Sequence, residues 1–203
     1  MELNKQLRWA AASGGLYLFS AVILKALDSA TGLIKSLGSL MYFCFLITAT
    51  ALYFLTYIFT IRGYSYLYRK FGLSRFTWAT YFHIFITLIL SAVVIFSLFL
   101  IVTSDDIAVA LGRDILYVFI TPYVVGPILI GISVYPLRNI LGSVAVAPFY
   151  IGLLWILYCL YIIIFKTLGF HPIEFFGLPV LTPVLEALFV IASGLLFIRA
   201  ANN

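Results

Sequence analysis

The stretch LMYFCFLITATALYFLTYIFTI, from Leu40 to Ile61, contains no charged residue. A helix rises about 1.5 Å per residue, so roughly 20 apolar residues match the roughly 30 Å hydrocarbon layer of a bilayer. No water is present in that layer to satisfy peptide groups, and a helix satisfies them within its own segment. The stretch therefore reads as a membrane-spanning helix.

Comparable runs lie on either side of it. Together they are Trp9 to Leu27, Leu40 to Ile61, Thr77 to Val102, Ile115 to Tyr135, Val144 to Phe165 and Leu178 to Ile198. Composition agrees, because 65% of the 203 residues are hydrophobic and 9% are charged, against about 25% charged in a soluble domain. The expected fold is all-α: an integral membrane helical bundle of about six transmembrane helices, forming one domain over residues 1–203. The first run is diluted by Ser13, Gly14 and Gly15 and ends near Lys25, a residue that can snorkel to the interface. Its small residues precede the apolar part, whereas a signal-peptide cleavage site follows it.

An even number of spans puts both termini on one side. That side carries Lys5, Arg8, Arg62, Arg69, Lys70, Arg75, Arg138 and Arg199. The other carries Lys25, Lys35, Arg113 and Lys166 with Asp28, Asp105, Asp106, Asp114 and Glu174. Basic residues collect in cytoplasmic loops, so the expected location is the cell membrane with N and C termini cytoplasmic. The net charge of +5 thus reports topology, and the expected partner is the lipid bilayer, not nucleic acid. Trp9 and Trp78 near inner ends, and Tyr42 and Tyr161 near outer ones, fit an interfacial aromatic belt.

Glu186 is the one acidic residue inside an expected span, and intramembrane ionisable groups are functional candidates by default. A competing local reading starts the helix at Pro183 with Thr182 as N-cap, which puts Glu186 in the first turn near the outer interface, favoured by the helix dipole. The fourth span holds Thr121, Pro122, Gly126, Pro127, Gly131 and Pro136, and is expected to be kinked or broken. If both helices run inward from the outer face, Thr121, Tyr123 and Glu186 share a depth and form a candidate intramembrane polar site. His83 is a candidate haem ligand or proton carrier, or simply a histidine bonded to a neighbouring helix. His171 falls on the opposite side, so a haem on His83 needs a second ligand from elsewhere.

The connection from Arg62 to Arg75 mixes basic residues with Tyr64, Tyr66, Tyr68 and Phe71. It is expected to lie on the inner membrane surface, with Arg62, Arg69, Lys70 and Arg75 contacting lipid head groups at about 1 kcal/mol each. The segment from Gly169 to Pro183 is expected to be an irregular outer connector or lid. Ala10 with Gly14, Gly126 with Gly131, and Ser143 with Ala147 are places for close helix approach.

Metal, phosphate-loop, nucleophile-elbow and Cys-x-x-Cys motifs are all missing from the sequence, so nothing in it supports an enzyme, a metal site or a bound cofactor other than haem. Cys44 and Cys159 are expected to be buried free thiols, and Asp105 with Asp106 a solvated turn.

The turn Ile61-Arg-Gly-Tyr-x-Tyr-Leu-Tyr-x-Lys-Phe71, followed by Arg75-Phe-Thr and a new apolar helix, resembles uncharacterised multi-pass membrane proteins of archaea over the first half of the chain. The resemblance implies a prokaryotic cytoplasmic membrane and carries no site residues. On sequence the first expectation is a non-catalytic subunit of a larger membrane complex, packed against other membrane polypeptides. The alternatives are a small-solute or proton transporter using Glu186 and the fourth helix, and a cytochrome-like subunit using His83.

Overall fold

The computed structural model describes residues 2–29, 39–103, 123–167 and 181–203, and among these no strand occurs. The helices are α1 (Glu2–Ser29), α2 (Ser39–Lys70), α3 (Thr77–Thr103), α4 (residues 123–134), α5 (Ala147–Thr167) and α6 (Leu181–Asn202). Short 3-10 turns at Ser74–Phe76, Tyr135–Leu137 and Gly142–Ala145, with the single helical turn Arg138–Leu141, make the α2–α3 and α4–α5 connections.

The bundle is apolar outside and polar within. Trp9, Phe19, Val22, Phe85 and Phe96 are exposed by 60% or more, while Thr60, Tyr64, Thr80, His83 and Ser193 are fully buried. In water this arrangement would leave large apolar patches open. In lipid it is the expected one, since hydrocarbon solvates the apolar faces and the polar groups pair inside. Along α2 the sequence builds this face by spacing: Tyr53, Tyr57, Thr60, Tyr64 and Tyr68 recur every three or four residues and so share one side. Leu52, Leu55 and Phe59 occupy the opposite, exposed side.

Among the described residues, five segments are long and apolar enough to cross a membrane: Glu2–Ala26, Phe43–Lys70, Ser74–Phe96, Tyr123–Ala145 and Pro183–Asn202. Ala147–Tyr161, most of α5, is a shorter apolar helix. By length and composition the structure thus supports a multi-pass bundle with five such segments where the sequence predicted about six.

Small residues set the closest approaches. A Cβ on Gly131 would fall 2.4 Å from the Cα of Phe149, and one on Gly152 would fall 2.7 Å from the backbone nitrogen of Ile128, so α4 and α5 meet backbone to backbone. Gly63 of α2 faces Ala10 of α1 and the Phe197 ring of α6 in the same way. α1 also packs along α2 and α6, and α2 along α3.

The termini share one end of the bundle. The Arg8 guanidinium donates to Oδ1 of Asn202 at 3.3 Å. Lys70 Nζ donates to Oδ1 of Asn4 at 2.7 Å and to the carbonyl of Ala200, drawing α1, α2 and α6 together.

One sequence expectation about an element is corrected. The second helix does not end near Ile61 but runs 32 residues to Lys70, about 48 Å, because the buried positions Tyr64, Leu67 and Tyr68 continue its inward face. The inner connection shrinks to residues 71–76, and Tyr64 and Tyr68 are buried within the bundle and do not face out of it. In the fourth span, the helix runs unbroken through Pro127 from residue 123 to 134, and regular α structure ends at Tyr135–Leu137, where Pro136 sits. Cys44 is exposed and Cys159 half-buried, so the first is no core thiol. The expectations for Asp105, Asp106, Thr121, His171 and the segment from Gly169 to residue 180 lie outside the described residues.

Candidate functional site

All of the helices converge on one buried polar cluster. α1 contributes Tyr17, α2 Tyr53 and Tyr57, α3 His83, α4 Tyr123, α5 Trp155 and α6 Glu186. Glu186 is 6% exposed and lies sixteen residues before Asn202, about 24 Å along the helix from the end that holds the termini. Since α6 starts at Leu181, Glu186 falls beyond the first turn and inside the bundle. The helix thus starts two residues before Pro183, the start that the capping reading assigned, and Glu186 stands in its second turn.

The carboxylate is held by phenols. Tyr123 Oη donates to Glu186 Oε1 at 2.6 Å. The hydroxyls of Tyr53 and Tyr17 also lie close enough to interact with the carboxylate, and they bond to each other at 2.7 Å. A hydrogen bond to a charged acceptor contributes about 1.5–3 kcal/mol, and the Tyr123 bond partly offsets the cost of taking a carboxylate out of water. The rings pack as a continuous aromatic wall, with centroids 4.7 Å apart for Tyr17 and Tyr53, 5.4 Å for Tyr17 and Tyr57, and 5.8 Å for Tyr123 and Trp155.

His83 adjoins this cluster. Its Nε2 bonds the Tyr57 hydroxyl at 2.9 Å, and its ring lies 5.2 Å from that of Tyr123. The Nδ1 side is pressed on α4, where a Cβ on Gly126 would stand only 1.9 Å from Nδ1. Glycine at 126 is thus what lets the imidazole enter the interface. Neither nitrogen presents an open coordination position. Among the described residues no group of three or more His, Cys, Asp or Glu gathers to hold a metal ion.

Closer to the terminal end, two tyrosine–serine pairs join helices. Tyr64 meets Ser193 at 2.6 Å and Tyr68 meets Ser133. Each serine donates to its own helix, Ser193 to the carbonyl of Phe189 and Ser133 to that of Ile130, so the tyrosine is the donor across the interface. These pairs bind α2 to α6 and to α4.

Of the sequence candidates, Glu186 and Tyr123 are brought into direct contact, while Thr121 lies outside the described residues. His83 belongs to the same cluster through Tyr57. Arg62, Arg69 and Arg75 are exposed, with Arg62 and Arg75 resting 5.7 Å and 4.9 Å over the rings of Tyr66 and Phe76. Lys70 differs from them, being spent on the contacts to α1 and α6. Sequence reading missed Tyr17, Tyr53, Tyr57 and Trp155, and marked Gly126 only as a place of close helix approach. The available signal was the repeat of tyrosines along α2 at helical spacing.

Comparison with models of known protein families, with curated proteins and with solved structures finds no match.

Proposed function

We propose that this chain is a proton transporter of the cytoplasmic membrane, spanning it six times with both termini inside, and that Glu186 is the group that takes up and releases the proton. The observation that carries this reading is the enclosure of one carboxyl by tyrosine hydroxyls where all the helices meet. A glutamine would still accept the Tyr123 hydrogen bond and would spare the bundle the cost of an ionisable group at membrane depth. A carboxyl in that place is therefore accounted for by its proton. The cytochrome alternative is less well supported, because both nitrogens of His83 are covered. The exposed apolar faces that favour a subunit of a larger complex are equally served by lipid.

Six spans require α5 to cross, and its 21 residues, about 31 Å, suffice. The basic end formed by Lys5, Arg8, Arg69, Arg75, Arg138 and Arg199 supports the inward orientation, with Arg62, Arg69 and Arg75 free to meet anionic head groups. The prokaryotic membrane rests on the likeness to archaeal proteins.

Reconstituted into liposomes with a trapped pH dye, the protein should dissipate an imposed proton gradient, and Glu186→Gln should lower the flux to that of empty vesicles. Full flux in the folded Glu186→Gln protein, or none in the wild type, would overturn the reading and leave the non-catalytic subunit as the better one.

A further inference from the structure

We propose that the cleft between the terminal end of α6 and the α4–α5 connection is a binding site for one anionic phospholipid, whose phosphate pairs with Arg199 and whose acyl chain lies on Leu195 and Ile198. The inference is independent of the role of Glu186.

The cleft has a volume of about 550 Å³ and is lined by Val144, Leu195, Ile198, Arg199, Asn202 and Asn203, a size within the range of small-molecule sites. Val144 belongs to the 3-10 turn Gly142–Ala145, against which α6 packs, and the other residues belong to α6 and the position that follows it. Leu195, Arg199 and Asn202 follow one another at four and three positions, with Ile198 beside them, so they share one face of the helix. Leu195 and Ile198 are about half exposed, at 55% and 47%. Over the roughly 10 Å from Leu195 to Asn202 this face passes from apolar side chains to a guanidinium and then to an amide at the end of the bundle. Chain and head group of a phospholipid follow the same order along the membrane normal.

The charge of the cleft selects the head group. Arg199 is exposed, and its guanidinium has no hydrogen-bond or ion-pair partner among the described residues. It is set beside the turn by Gly142, whose φ is 74° and on which a Cβ would lie 4.0 Å from Arg199 Nη2. Arg8 brings a second guanidinium, held on the side-chain oxygen of Asn202, and the Asn202 amide nitrogen has no partner among the described residues. Glu2 is the one acidic side chain described at this end. Guanidinium groups pair with phosphate oxygens through parallel hydrogen bonds. A soluble anion would satisfy Arg199 but leave Val144, Leu195 and Ile198 uncovered, whereas a phospholipid covers both halves of the cleft. A zwitterionic lipid would bring its own ammonium up to the arginines, so the net negative head group is the better match. Seated there, the lipid ties α6 to the α4–α5 connection.

The test is native mass spectrometry of the full chain, released from detergent micelles that contain equal amounts of phosphatidylglycerol and phosphatidylcholine with identical chains. The wild type should retain one phosphatidylglycerol with at least a tenfold preference. Arg199→Gln should lower that preference about tenfold, the scale of one charge-assisted hydrogen bond. Arg62→Gln, which removes an exposed charge on α2 outside the cleft, should keep it. Equal retention of the two lipids by the wild type would overturn the site, as would an unchanged preference in folded Arg199→Gln. An equal fall in Arg62→Gln would also overturn it, because the preference would then belong to the basic surface as a whole. Excess glycerophosphoglycerol, the same head group without chains, should leave the lipid in place, and its displacement would overturn the role of the apolar floor. If Arg199→Gln fails to fold, Arg199→Lys keeps the charge and removes the planar fork, and a smaller fall in preference is expected of it, with no fall counting against the site.

Discussion

At the scale of single residues, the interior is decided by where a side chain is absent as much as by where one is present. Gly126 and Gly15 both sit within helices, yet they differ in what a methyl group would meet. At Gly126 the methyl would collide with the imidazole of His83 at 1.9 Å, and at Gly15 it would meet nothing within 4 Å. Gly126→Ala should therefore push His83 off Tyr57 and cost about 1–3 kcal/mol, the usual penalty for overpacking. Gly15→Ala should instead stabilise by about 0.5–1 kcal/mol through helix propensity. Thermal unfolding in mild detergent, followed by tryptophan fluorescence, checks both, and equal shifts in the two variants would contradict the packing of His83 against α4. At this scale the sequence was legible where a residue is chemically out of place. A carboxyl in an apolar run stands out, and matching its depth to Tyr123 needed only helix rise. Tyr17, Tyr53 and Tyr57 did not stand out, because a tyrosine in a membrane helix serves equally as an interfacial anchor, and only tertiary contact separates the two uses.

At the scale of elements, α2 shows how an end can be misread when charge is weighed above periodicity. Arg62, Arg69 and Lys70 suggest that the helix has left the membrane near Ile61, but Tyr64, Leu67 and Tyr68 keep its inward face through to Lys70. What stops it is Gly72, whose φ of 70° lies in the left-handed region. The amide of Leu73 bonds back to the carbonyl of Tyr68 at 2.7 Å, closing the helix in a Schellman arrangement. An L-residue in that conformation costs about 1–2 kcal/mol, while a Cβ there meets no neighbour. Gly72→Ala should therefore lower stability by about that amount with no loss of packing, whereas Gly72→Asn, which tolerates the conformation better, should lose less. Unfolding midpoints of the three proteins in one detergent decide this, and equal midpoints for alanine and glycine would remove Gly72 as the stop signal. The existence of each helix was readable because an apolar run of bilayer length has few other uses. Boundaries were less so, because caps and turn conformations depend on one or two residues.

At the scale of the whole molecule, the six-span proposal stands or falls on α5 and on which end faces the cytoplasm. The contacts of Arg8 with Asn202 and of Lys70 with Asn4 place both termini and the α2–α3 connection at one end, whatever the orientation. The basic residues at that end then orient the bundle, since their transfer across the membrane is disfavoured. Single cysteines in a background lacking Cys44 and Cys159 test this with a reagent that does not cross lipid. Ser65 is a poor reporter because it is buried within α2, whereas Ser74 is exposed in the turn that follows. In intact cells Ser74→Cys should stay unlabelled until the membrane is permeabilised, and a cysteine at Ser104, in the outer connection expected from sequence, should label at once. Labelling at both positions in intact cells would mean that α3 does not cross. Labelling at Ser74→Cys alone would invert the bundle and place the basic end that holds both termini on the outer side, against the orientation that its lysines and arginines favour.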